Sequence, residues 1–96
     1  MQFEWDESKD AANRRKHGIG FVEAVEVFDR VDDVLEIFDE HHSDHEDRFI
    51  TIGPIRRGLV MVVWTERVED VVRVISARFA TPGERRLYRS HMEHGR

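Results

Sequence analysis

The chain has 96 residues, with 20 acidic against 15 basic side chains, a formal net charge of −5 and no cysteine. That length supports one domain with a single core and little surplus, and the lack of cysteine excludes a disulfide framework and thiol chemistry. With no apolar run of about 18 residues and no signal-peptide pattern, residues 1–96 are expected to form one soluble, cytoplasmic domain without a membrane partner.

In chain order, Phe3 and Trp5 alternate with Gln2 and Glu4, the mark of a short strand with one buried face. Asp6 is placed to cap a helix from Glu7 to Lys16, with Glu7 and Asp10 in the first turn where the dipole favours them. His17-Gly18 ends it, glycine being the usual residue beyond a helix C-terminus. Phe21, Val22, Val25 and Phe28 recur at helical spacing and predict a second helix. Val34–Phe38 then reads as a strand, Asp39–Asp47 as a polar connection and Arg48–Gly53 as another strand. Pro54–Gly58 supplies a turn into Leu59–Thr65, which is apolar on both faces and therefore predicted near the sheet centre. Glu66–Asp70 leads by a hairpin into Val71–Arg78. Thr81, Pro82 and Glu84 form the signature of a capped helix start, with a capping box between the first and last of them. Ser90–Arg96 reads as its fraying end. The order β-α-α-β-β-β-β-α predicts an α+β domain: a small, mainly antiparallel sheet of about five strands packed with helices.

Charge is unevenly spread. Residues 23–47 hold eleven acidic side chains against Arg30 alone, whereas residues 48–96 hold ten arginines against five acids. Either the chain offers one surface to an anion and another to a basic partner, or the two halves interleave and cancel.

Four groups of residues could carry chemistry. In the stretch His41-His42-Ser43-Asp44-His45 the spacing suggests a metal site, but it lies between strands, where helical spacing has no meaning; we read a solvated, pH-sensitive loop and assign no metal and no cofactor. His17 follows Arg14, Arg15 and Lys16, and serves either the helix dipole or proton transfer beside a bound phosphate. Arg67 and Arg78 each end a strand. A plain hairpin puts them at opposite ends, and they converge only through a bend or a bulge. As a pair, they could bind a phosphodiester and stabilise a pentacoordinate transition state. Arg85, Arg86 and Arg89 share the last helix with Tyr88, which either stacks on a base or belongs to the core stripe with Leu87.

The pieces Phe3-Glu4-Trp5-Asp6-x-x-Lys9, Asn13-x-x-Lys16-His17-Gly18-Ile19-x-Phe21, Glu46-x-Arg48-x-x-x-Ile52-Gly53, Trp64-Thr65-x-Arg67, Ile75-Ser76-Ala77-Arg78-x-Ala80 and Glu84-Arg85-x-x-Tyr88 resemble, in order, the BrnT toxins of type II toxin–antitoxin systems. The resemblance implies a RelE-like fold and a metal-independent endoribonuclease that inhibits translation. It also implies a BrnA-like antitoxin that binds operator DNA and represses the operon with the toxin, in a heterotetramer of two toxin and two antitoxin chains. Lys9, His17, Glu46, Arg48, Arg67 and Arg78 fall on the family's recurrent polar positions; we expect Arg67 and Arg78 at the phosphate, His17 or Glu46 as base, Lys9 as phosphate ligand or acid, and Arg48, with Arg85, Arg86 and Tyr88 of the last helix, on RNA. A basic antitoxin segment would be steered to the acidic residues 23–47. Two other classes compete: a non-catalytic RNA-binding or co-repressor module, and a metal-dependent hydrolase built on His41, His42 and His45.

Overall fold

The structure, a computed structural model, describes residues 1–42 and 45–94, the side chain of His42 excepted. Its strands are β1 (Gln2–Glu4), β2 (Leu35–Phe38), β3 (Phe49–Ile55), β4 (Gly58–Glu66) and β5 (Val71–Phe79), and its α-helices are α1 (Glu7–His17), α2 (Phe21–Ala24) and α3 (Pro82–His94). One sheet runs β1-β5-β4-β3-β2. Only the β1–β5 pair is parallel; the other three are antiparallel. The expected α+β class and strand count therefore hold, and the doubly apolar β4 is the central strand.

Local chemistry explains most element ends. The Asp6 carboxylate accepts the N–H groups of Ser8 at 2.8 Å and Lys9 at 3.3 Å, the predicted cap of α1. Gly18 takes a left-handed conformation at φ 72° and donates its N–H to Arg14 at 2.9 Å, closing the helix. The predicted second helix is shorter than its periodicity suggests: one α-turn, α2, passes into 3₁₀ geometry over Val25–Asp29 and again over Val31–Asp33. The segment is rich in β-branched valine, a weak helix former, and the packing of Val27 and Phe28 on the sheet sets its path. β3 extends through Pro54 to Ile55, so the turn into β4 is shorter than predicted. α3 continues to His94.

The two faces of the sheet are covered differently. Over the first face, Ile19, Phe21, Ala24 and Val27 pack on Val60, Val62, Trp64, Val72, Val74 and Ala77. Over the second, Ile52, Met61 and Ala80 form a smaller core with Leu35, Ile37, Val63 and Tyr88. There α3 lies across β2 and β3. The neighbouring stretch of β5 carries charged side chains instead.

Two irregularities shape β5. First, β1 pairs only with Val71–Arg73, so the rest of that edge has no strand beside it among the described residues. The buried Asn13 of α1 fills the gap: its amide accepts from Ala77 N–H at 3.2 Å and donates to Ala77 O at 2.7 Å and Ile19 O at 2.8 Å. Second, Val63 faces Ser76 while Trp64 faces Val74, so Ile75 is an extra residue in a β-bulge. No helix among the described residues is long and apolar enough to cross a membrane.

Candidate functional site

Arg78 stands on the second face, opposite Met61 in the register. Its guanidinium forks onto Glu84, with Nη1 donating to Oε1 at 2.7 Å and Nη2 to Oε2 at 2.8 Å. Glu84 belongs to the first turn of α3. It accepts the Thr81 N–H at 2.9 Å and donates its own N–H to Thr81 Oγ1 at 3.2 Å, which is the predicted capping box. One carboxylate thus ties the helix start to the arginine. The hydrogen bonds from Arg78, aided by Thr81, hold the Glu84 carboxyl below its ordinary range, and the same pair pushes the guanidinium up. Both groups are charged at neutral pH.

The bulge brings a second arginine onto this face. Arg73 and Arg78 are five positions apart, so simple alternation would point them to opposite sides of the sheet. The extra residue Ile75 restores the phase, and both share a face with Met61 and Val63. Arg73 Nη1 donates to Glu4 at 2.6 Å. Sequence reasoning missed Arg73 because a bulge leaves no mark in the residue pattern, and it missed Glu84 as a partner of Arg78 because the capping box already accounted for it.

The other expected residues are dispersed. The backbone N–H of Arg67 donates to Val71 O at 3.2 Å, at the start of β5, whereas Arg78 lies near its end. Six strand positions from Met61 to Arg67 separate the two by about 20 Å. The bulge changes the face of side chains but not the end of the sheet at which Arg67 sits. At that end Arg67 meets Glu46 across 3.8 Å, and half-buried Arg48 precedes β3, its carbonyl accepting the Asp39 N–H at 2.8 Å. Lys9 and His17 lie on α1, exposed and half-buried respectively, and His17 leads into Ile19 and Phe21 of the first core. On α3, Arg86 is exposed and Arg85 half-buried. Tyr88 packs in the second core and its hydroxyl donates to Asp33 O at 2.7 Å, so this ring anchors the helix.

Among the described residues no group of three or more His, Asp or Glu side chains is placed to hold a metal. Ser43, Asp44 and the side chain of His42, on which a metal reading would also draw, lie outside the described residues. A cleft of about 400 Å³ opens elsewhere, between Glu26, Asp29, Arg30, Pro54, Ile55 and Arg56, and none of the expected site residues lines it. Chemically, then, the second face offers oriented guanidiniums beside a helix start, a setting for phosphate.

A solved structure shares this architecture. The 1.1 Å crystal structure of the Brucella abortus ribonuclease toxin, BrnT, superposes with a TM-score of 0.66 at 25% identity, covering 84% of this chain and 97% of that one. The fold thus falls within the class of small α+β toxins. The model of the family described as "Ribonuclease toxin, BrnT, of type II toxin-antitoxin system" matches residues 5–84, and the chain belongs to that family. No curated protein matches its sequence.

Family membership implies a protein antitoxin as partner. The hydrogen bonds show that Asn13, Trp64 and Thr65 are structural: Asn13 bonds Ala77 and Ile19, the Trp64 indole N–H donates to Thr51 Oγ1 at 2.8 Å and the Thr65 hydroxyl to Asp47 O at 2.6 Å.

Proposed function

We propose that this toxin is a metal-independent endoribonuclease whose cleavage centre is the second face of the sheet around Arg78. RNA supplies its own nucleophile. The 2′-oxygen attacks the adjacent phosphorus, its proton leaves to a base, the P–O5′ bond breaks and the 5′-oxygen takes a proton. The products are a 2′,3′-cyclic phosphate and a 5′-hydroxyl. Charge builds on the phosphorane oxygens, and a fixed guanidinium stabilises it most where its position is set beforehand.

The observation that carries this reading is the Arg78–Glu84–Thr81 arrangement, which holds a guanidinium on the charged stretch of a sheet face and ties it to the helix that carries Arg85 and Arg86. Arg67, Glu46 and Arg48 would meet the same RNA at the far end of the sheet, several nucleotides away. Lys9 and His17 would meet it only where it passes α1. A BrnA-like antitoxin would neutralise the toxin in a two-plus-two complex that represses the operon, and cytoplasmic RNA is the target.

One observation favours the rival, a non-catalytic RNA-binding or co-repressor module: both terminal nitrogens of Arg78 already donate to Glu84. Cleavage of a defined single-stranded RNA in excess chelator separates the two. The nuclease predicts cyclic-phosphate ends that fall by about 100-fold or more in Arg78→Ala, roughly the loss seen when one transition-state donor is removed, with RNA affinity largely retained. Arg67→Ala should lose far less. Folded wild-type chain that binds RNA and leaves it intact would support the module.

A further inference from the structure

The outer edge of the sheet is a strand with its hydrogen-bonding groups exposed. Among the described residues β2 has a neighbour on one side only. Asp39 N–H donates to Arg48 O, and the pairing Leu35↔Ile52, Ile37↔Ile50 continues that set in steps of two. In an antiparallel ladder the residues between hydrogen-bonded pairs turn their N–H and C=O away from the partner strand. Those residues are Glu36 and Phe38, so both aim a donor and an acceptor outward.

Their side chains are also exposed. Phe38 keeps 45% of its surface although its ring meets Phe49 at 5.6 Å. Proteins protect such edges with short strands, charge, proline or a bulge. This edge is short and its charge is negative, with Asp32, Glu36 and Glu40 all exposed around it, so it rejects acidic strands but not a basic one.

We infer that β2 is the docking edge for an extended, lysine- or arginine-rich segment of the antitoxin, which adds to the sheet as a sixth strand. This deepens the reading above and rests on its antitoxin, not on its nuclease. Main-chain bonds to Glu36 and Phe38 supply affinity, the Phe38 ring gives an apolar foothold, and basic side chains on alternate positions meet Glu36 and its acidic neighbours. A second copy of this chain is disfavoured at the same edge, because antiparallel pairing of two β2 strands brings like charges together. RNA is disfavoured for the same reason.

Residue-resolved amide exchange on the full chain, with and without the purified cognate antitoxin, tests the edge. The Glu36 and Phe38 amides should exchange freely in the toxin alone and slow by about 100-fold or more in the complex, as buried ladder amides do. Glu36→Pro removes an outward N–H and leaves the β3 ladder intact. It should weaken antitoxin binding by about 10-fold or more, a loss of about 1.4 kcal/mol, and Glu36→Lys should weaken it through charge. A complex in which both amides keep their free rates overturns the proposal, as does an antitoxin that does not bind. Concentration-dependent protection without antitoxin would assign the edge to a second copy and overturn it too. RNA cleavage by the same preparations reports separately on the nuclease.

Discussion

At the scale of single residues, the polar side chains of the motifs divide into those that hold the sheet and those that face outward from it. Asn13 stands in for a missing strand: three hydrogen bonds satisfy both backbone groups of Ala77 and the carbonyl of Ile19, all in buried surroundings. Each group left unpaired in such a site costs about 1–3 kcal/mol. Asn13→Ala should therefore lower stability by about 2–4 kcal/mol in urea denaturation, and any loss of toxicity would follow from unfolding; a drop well under about 1 kcal/mol would mean water replaces the amide. Glu84 differs, because its contribution depends on charge. Its folded carboxyl is held below the ordinary value of 4.5, so it stabilises the fold fully above that value and loses this as pH falls through the lowered one. Glu84→Gln keeps the capping geometry and removes the charge. It should cost about 1 kcal/mol at pH 7, in the range for a partly exposed pair, and the gap should close as pH falls through the lowered value of the Glu84 carboxyl. A gap that persists in acid would show that shape, not charge, is what Glu84 supplies.

At the scale of elements, legibility follows how local the cause is. Both helix caps depend on residues within a few positions of each other, and the structure has both: Asp6 before α1, and Thr81 with Glu84 before α3. The central place of β4 was legible because it is apolar on two faces. What the pattern could not show is non-local. The parallel pairing of β1 with β5 joins Gln2 to Val71, the bulge at Ile75 appears only against β4, and the shift from α to 3₁₀ after Ala24 follows from packing. The same holds for the site. Arg78 and the α3 arginines were visible as strand-end and helix-start charges, whereas the gathering of Arg73 and Arg78 on one face, and the separation of Arg67 from both, depend on register. Gly53 shows an element contact of the same non-local kind. A Cβ there would sit 2.7 Å from Val34 Cγ1 and 2.9 Å from Val27 Cγ2, because the 3₁₀ run lies close on β3. Gly53→Ala should overpack this junction and cost about 1–3 kcal/mol, read as a lowered urea midpoint. An unchanged midpoint would mean that both valines rotate aside freely.

At the scale of the whole molecule, an acidic protein that grips RNA needs its positive charge concentrated. Part of the arginine excess is neutralised in place: Arg57 pairs with Glu23 at 2.6 Å on the edge where the acidic and basic segments meet. That is the interleaving arrangement. The second face differs. Arg73 and Arg78 are matched by Glu4 and Glu84, but Arg85, Arg86 and Arg89 on α3 add three further positive charges. If RNA lies on this face, binding displaces counterions from about three phosphates, and log affinity should fall with log salt at a slope of about −2, at about −0.7 per phosphate for a single strand. Arg86→Ala should then flatten the slope by about 0.7. Arg57→Ala, on a guanidinium already committed to Glu23, should leave it unchanged. Filter binding across a salt series reads both slopes from one RNA. Equal flattening by the two substitutions would show that RNA senses the net charge of the whole surface, and the second face would then lose its claim as the binding surface.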